Sequence, residues 1–235
     1  MSEAKLLTET PDTAPTRRRT AAALLIAGPV IFLLAEFIAA MAWTNPPYSY
    51  TYHFISDLGV HGPSTLFGQY MYSPLAWVMN TGFIGFGITI LAGIAALGGL
   101  SGWRRWAALV PAALLAVGGV LLGLFPGSGE AMKDGTGGFH ALGAMAGFIG
   151  GNVLAIVVGS MRRRVGLSPG SGRGLVAVGV IGLVSMVAYF ADVMSGANIV
   201  VGLIERGAVH PFLIGLIYAG VSIWRCGVTS GNESE

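Results

Sequence analysis

The stretch TYHFISDLGVHG, Thr51 to Gly62, gathers two histidines, a serine and an aspartate and contains no lysine or arginine. His53, Asp57 and His61 recur every fourth residue, so on a short helix two imidazoles and a carboxylate would share one face, a donor set that suits zinc. Gly59 and Gly62 work against a continuous helix there, and the plainer alternative for Ser56 and Asp57 is capping or turn chemistry beside two solvated histidines. The other polar outliers are Glu36, Asn80, His140, Asp192, Glu205, Arg206 and His210. His140 and His210 suit a metal-ligand or acid–base pair, with His53 as a further ligand and Asp57 or Asp192 as an additional ligand or base. The cofactor stays open, a divalent ion such as zinc being the one this chemistry would use. Arg206 lies four residues before His210 and shares its helix face; its guanidinium could grip an anionic lipid headgroup in bidentate fashion. Glu205, Glu36, Asn80 and Ser56 complete that candidate substrate-binding set. Each charge also has a structural alternative: Glu36 as buried partner of Arg206 or of a tyrosine hydroxyl, and Arg206 as salt-bridge partner of Asp192, Glu205 or Glu36.

These residues have to be positioned by a bilayer protein. The chain has 235 residues, 54% of them hydrophobic and 10% charged, and its mean hydropathy is +0.71. A water-soluble fold of this length has no use for that balance. Six apolar runs, at about 20–43, 72–98, 104–125, 137–160, 173–195 and 207–226, are long enough to cross a hydrocarbon core as helices of about 20 residues. The expected fold is therefore all-α: a polytopic six-helix transmembrane bundle over 20–226, between a disordered tail at 1–19 and a short tail at 227–235. Lys5, Arg17–Arg19, Arg104, Arg105, Arg162–Arg164, Arg173 and Arg225 fall on one side, Lys133 and Arg206 on the other, which makes both termini cytoplasmic. A cleaved signal peptide ending near Ala40–Ala42 is the lesser alternative for the first run, whose apolar length and Glu36 favour an anchor; the arginine run likewise reads as topology rather than as a twin-arginine signal. The expected location is the cell membrane.

With this orientation the polar outliers share one level. Glu36 and Asn80 are each about two turns from the outer end of their helices, His140 opens the fourth helix, Asp192 closes the fifth, and Glu205, Arg206 and His210 open the sixth. The inner half is smoothly apolar apart from Asn152. The expectation is a polar pocket opening outward, and ionisable residues at such depth face the bundle interior or line a cavity. If Asp57, His140 and Arg206 converge on it, the loop from about Thr44 to Met71 must fold back over the bundle mouth, bringing Ser56 and Asp57 close to His140 or Arg206.

Gly143, Gly147, Gly151, Ala155 and Gly159 form a smooth stripe on the fourth helix, predicting close packing by a neighbouring helix or, less often, a homodimer interface through Gly143, Gly147 and Gly151. GLSPGSGRG, Gly166 to Gly174, reads as a flexible joint. One cysteine, Cys226, excludes a disulfide framework, and membrane topology accounts for the basic residues without nucleic acid. Membrane lipids are the expected partners.

YSYTYHFISDLGV, WVMNTGFIGFG, LFPGSGE followed by GFHALGAMAGFIGGN, and GLIER occur in this order. Together they resemble the bacterial and archaeal membrane-protein family called domain of unknown function 998, over about Leu24 to Arg225. The resemblance implies a six-helix membrane protein without an assigned activity. Its pattern falls on Tyr48, Ile55, Ser56, Asp57, Leu58, Gly59, Asn80, Gly82, Pro126, His140, Asn152, Glu205 and Arg206, and leaves His61 outside. Three functions stay open: a metal-assisted or acid/base hydrolase or transferase acting on a lipid or lipid-linked substrate at the outer leaflet; a small-molecule or proton-coupled transporter using Glu36, His140, Asn80 and Asn152; and a membrane assembly or scaffold protein whose polar cluster is an internal network. The absence of visible inverted repeats and the apolar inner half weigh against the transporter.

Overall fold

Helices of sufficient length and apolarity to cross a bilayer account for most of the described residues. The structure, a computed structural model, describes residues 13–229, with side chains from 16 to 225. Lys5, the first twelve residues of the expected tail and 230–235 lie outside the described residues, as does the Cys226 side chain. The helices are α1 (Thr13–Ala42), α2 (Ala76–Ala96), α3 (Trp103–Leu124), the short α4 (Gly129–Asp134), α5 (Gly137–Ser160), the short α6 (Arg162–Val165), α7 (Pro169–Ser195) and α8 (Val201–Thr229). Among the described residues six are candidate membrane spans: α1, α2, α3, α5, α7 and α8. The chain is a multi-pass membrane protein with an all-α fold. Its exposed surface carries the large apolar side chains a lipid-facing bundle requires, such as Phe37, Met41, Trp77, Ile88, Val117 and Val184.

The six long helices close a ring in chain order. α1 packs on α2, α2 on α3, α3 on α5, α5 on α7, α7 on α8, and α8 returns to α1. Arg104, Arg105, Arg162–Arg164 and Arg173 mark one end of this ring, here called the arginine end; the 43–75 connection covers the other, the loop end.

Helix starts depart from the expected boundaries for local reasons. α1 begins at Thr13, so Arg17–Arg19 are helical rather than part of a tail. The supposed joint Gly166–Gly174 contains the start of α7: Ser168 accepts a hydrogen bond from the Ser171 amide at 3.1 Å, and Pro169 occupies the first turn. Serine before proline is a helix-start signal that outweighs the nearby glycines. α8 begins at Val201 instead of near 207 because Glu205 and Arg206 find polar partners inside the protein and have no need of the water expected at a helix end.

The connection between α1 and α2 is a folded cap. It contains a 3₁₀ turn at Ser56–Gly59 and a hairpin of β1 (Ser64–Leu66) with β2 (Gln69–Met71), paired antiparallel with Ser64 opposite Met71. Trp43, Ile55, Leu58, Val60 and Met71 are buried and belong to the same apolar core as α1 and α2. A cap that buries large side chains is fixed by the same burial that fixes a helix. A side-chain clasp adds to this: Ser64 donates to Glu130 of α4 at 2.6 Å and accepts from the Gly129 amide at 2.9 Å.

The glycine stripe of α5 meets three different neighbours. A β-carbon on Gly143 would strike Leu121 and the Gly118 carbonyl of α3, one on Gly151 the Phe212 ring of α8, and one on Gly159 the Gly172 carbonyl of α7. The face considered for a second copy is thus filled at Gly143 and Gly151 by the protein's own helices. Gly147 differs, since a β-carbon there meets nothing within 4 Å. Gly151→Leu is therefore expected to destabilise the protein by about 1–3 kcal/mol through overpacking, while Gly147→Leu is tolerated. Thermal unfolding of both variants in detergent checks the contrast, and equal loss at the two positions would contradict it.

Candidate functional site

Arg206 reaches from α8 into the cap and uses its whole guanidinium there. Nε donates to Glu36 Oε1 of α1 at 2.9 Å, and Nη2 lies 2.9 Å from the same oxygen. Nη1 donates to the carbonyls of Tyr50 (2.8 Å), His53 (3.2 Å) and Gly202 (2.9 Å), and Nη2 also donates to the Tyr48 hydroxyl. The Tyr50 and Tyr48 rings lie 4.7 and 5.6 Å from its central carbon. Gly202 is what lets the cap come this close: a β-carbon there would run into the carbonyls of His53 and Tyr50. Tyr48 passes the chain of bonds on, donating to the Phe54 carbonyl at 2.9 Å; burial pushes its phenol above the ordinary tyrosine range, so it stays a donor.

Glu36 is shared. Its Oε1 takes Arg206, and its Oε2 lies 2.9 Å from His210 Nε2. Of the structural alternatives for these charges, the Arg206–Glu36 pair is the one present. Arg206 is consequently not free to grip a headgroup; its carboxylate partner is Glu36 rather than Asp57, while Ser56 and Asp57 share a cavity wall with His140, the other partner expected for them. His210, engaged with Glu36, is likewise not among the residues lining the cavity described next.

On the other side of Arg206 a cavity of about 360 Å³ occupies the loop half of the ring. The cap roofs it with Phe54, Ile55, Ser56, Asp57, Leu66 and Phe67. Asp57 and Glu205 are the two buried acids on its wall, 3% and 5% exposed. Consecutive cap amides hold them: Phe54 N–H donates to Asp57 Oδ2 at 3.0 Å, and Ile55 N–H donates to Glu205 Oε2 at 2.5 Å. Burial first, and then the nearby Glu205, push the Asp57 carboxyl well above the usual carboxylate range. That direction favours the protonated form of Asp57. His140 joins them from α5 with Nδ1 2.9 Å from the Phe125 carbonyl. A carbonyl only accepts, so Nδ1 carries the proton, and in the neutral ring Nε2 keeps a lone pair. The rest of the wall is apolar and aromatic.

Several expected site residues lie elsewhere. His53 Nδ1 accepts from the Ser49 amide at 2.9 Å and its ring stacks on Tyr48, so His53 is a cap residue. His53, His140 and His210 point to three different partners, and among the described residues no three His, Cys, Asp or Glu side chains are grouped to hold a metal. The zinc set inferred from the loop spacing fails because Ser56–Gly59 is a single 3₁₀ turn, which does not align His53, Asp57 and His61 on one face. Asp192 Oδ1 accepts from the Ile199 amide at 3.3 Å, closing the turn between α7 and α8 outside the cavity. Asn80 donates to the Gly59 carbonyl at 3.0 Å and anchors the cap to α2.

Sequence reasoning missed the aromatic wall, made by Phe54, Phe67, Phe148, Tyr189, Phe190 and Phe212 among others. One signal for it was present: His140, Ala144, Gly147 and Phe148 share a face of α5 at helical spacing, and three of the four are small or polar.

A closed ring of six apolar helices, capped at one end and enclosing an acid-bearing apolar cavity, defines a multi-pass membrane protein with an internal site of ligand size. Residues 26–222 match the family model described as protein of unknown function (DUF998), and the chain belongs to that family. No curated protein and no solved structure matches it.

Because Arg206 is buried with Glu36, removing one partner strands the other. Arg206→Gln and Glu36→Gln are each expected to cost about 3–5 kcal/mol, and the double variant to lose clearly less than the sum. Thermal or denaturant unfolding of the three variants measures the coupling; strict additivity would mean that the two charges act independently.

Proposed function

We propose that this protein binds a molecule with an apolar chain in the loop-end cavity and performs general acid–base chemistry on its polar end, as a hydrolase or transferase acting on a lipid or lipid-linked substrate. The observation that carries this reading is the placement of Asp57, whose burial favours its protonated form, a second carboxyl on Glu205, and His140 on the wall of one otherwise apolar cavity. Environments that separate an acid from a base within one site are what acid–base catalysis needs. In an acyl transfer, the hydroxyl of water or an alcohol forms the new bond to the acyl carbon and gives its proton to His140 Nε2. The ester C–O bond breaks, and the departing oxygen takes the proton of Asp57. Protons then return through solvent from His140 to Asp57, so the cycle closes without a further reactant.

The metal-assisted form of the reaction loses its support because the three candidate histidines have separate partners. A phosphate grip by Arg206 loses its support because the guanidinium donors are occupied. The scaffold reading accounts for the Arg206–Glu36–His210 network but assigns no role to the cavity.

The loop end, on this reading, faces away from the cytoplasm in the cell membrane, since eleven of the thirteen basic residues are on the opposite side. Tyr70 is exposed on the cap hairpin. In a Cys226→Ser background, Tyr70→Cys should react with an impermeant maleimide on intact cells; reaction only after permeabilisation would reverse the orientation.

Gly147 supplies the test of the site, because a large side chain there enters the cavity without striking a helix. Mass spectrometry of lipids retained by the purified protein should find a species enriched over the surrounding membrane in the wild type and depleted in Gly147→Phe. A lipid profile that matches bulk membrane in both proteins would contradict the reading.

A further inference from the structure

Among the described residues, the cavity wall holds acids and hydroxyls and no lysine or arginine side chain. Its polar groups are Ser56, Asp57, His140, Tyr189 and Glu205. From these we infer that the ligand's polar end is an uncharged hydroxyl, as in a long-chain alcohol, a diol or a hydroxyl-bearing lipid, and not a phosphate or an amine. The inference rests on the proposed site and specifies one occupant of it, the long-chain alcohol whose hydroxyl accepts the acyl group or is released from the ester.

A phosphate end offers only acceptors at neutral pH and brings up to two negative charges. The wall would meet it with two buried carboxyls whose backbone donors, Phe54 N–H and Ile55 N–H, are already bound to those same acids. The nearest guanidinium, that of Arg206, is filled by Glu36, Tyr48 and three carbonyls. Burying a charge without a partner in an apolar enclosure is among the largest penalties a ligand can meet.

An ammonium end offers only donors. Asp57 and Glu205 each have one carboxyl oxygen already taken by a cap amide, and the Arg206 guanidinium, next to Glu205 in the chain, opposes a second buried cation. His140 Nε2 would then be the remaining nitrogen acceptor, next to a cation. A hydroxyl has both functions and no charge. It accepts from the Ser56 or Tyr189 hydroxyl and donates to a carboxyl oxygen of Asp57 or Glu205 or to His140 Nε2, so it meets donors and acceptors alike without bringing a charge. The remaining wall fits the chain: Phe54, Phe67, Phe83, Phe148, Phe190 and Phe212 face a cavity of about 360 Å³, within the range that takes one small apolar ligand.

The test is equilibrium binding of radiolabelled 1-dodecanol, dodecylamine and dodecyl phosphate to the full chain in phosphatidylcholine nanodiscs, with empty nanodiscs subtracted. Dodecanol should bind at least about tenfold more tightly than either charged analogue, roughly 1.4 kcal/mol of discrimination. Gly147→Phe should remove the saturable binding. The paired variant Asp57→Asn with Glu205→Gln keeps acceptors for the Phe54 and Ile55 amides while removing the acids, and it should narrow the gap between alcohol and phosphate. Its monodispersity and melting show whether it has folded; should it fail to fold, Ser56→Ala with Asp57→Asn serves in its place. Dodecyl phosphate or dodecylamine binding at or above dodecanol would overturn the hydroxyl assignment and leave the cavity reading standing. Saturable binding of none of the three, or equal binding to Gly147→Phe, would overturn both. A gap unchanged in the paired variant would show that the acids do not set the selectivity, and the assignment would fall.

Discussion

A guanidinium buried among apolar helices must be surrounded by acceptors, and Arg206 obtains them by drawing the cap onto the bundle. It is 6% exposed, and its acceptors come from α1, from its own helix and from the segment between Tyr48 and His53. Leaving such a group short of partners costs several kcal/mol, more than most single contacts return, so the cap and helices α1 and α8 are joined at the point where the chain can least tolerate a gap. The position of Phe54 to Asp57 follows from that. Tyr48, held by Arg206, donates to the Phe54 carbonyl, while the Phe54 and Ile55 amides bind Asp57 and Glu205 respectively.

This arrangement divides the ionisable groups into two sets. Glu36, Arg206 and His210 form a closed network between α1 and α8, with each charge engaged. Asp57 and Glu205, one residue along α8 from Arg206, turn to the cavity and share it with His140. Adjacent positions on a helix point about 100° apart, so Glu205 and Arg206 serve different faces although they are neighbours in sequence. The ion-pair network and the cavity are thereby separate but linked through the cap backbone at His53, Phe54 and Ile55.

Much of the fold was legible because apolar length and basic flanks are strong signals in a bilayer protein. The six spans, the span of α5 in particular, and the gathering of polar residues at one end were all readable from residue type and spacing. The pairing of those residues was not. Arg206 had three plausible carboxylates within the same level, and only the packing of α8 against α1 selects Glu36 over Asp192 and Glu205. The fourfold spacing of His53, Asp57 and His61 suggested a helix face, whereas burial of Ile55 and Leu58 produces a 3₁₀ turn that points Asp57 inward alone of the three. Gly147 looked like its neighbours in the stripe, since sequence does not reveal that the space in front of it is empty.

The central claim is that Arg206 holds the cap as the roof of the cavity. Hydrogen–deuterium exchange of the cap peptide spanning Tyr48 to Val60, compared between wild type and Arg206→Lys in nanodiscs, addresses it directly. A lysine keeps the charge but loses the fork that binds Glu36, Tyr48 and the cap carbonyls together. The account predicts that protection of the Phe54 and Ile55 amides falls by at least about tenfold in the variant while α3 and α5 keep theirs. Unchanged protection of the cap in a folded Arg206→Lys protein would contradict it.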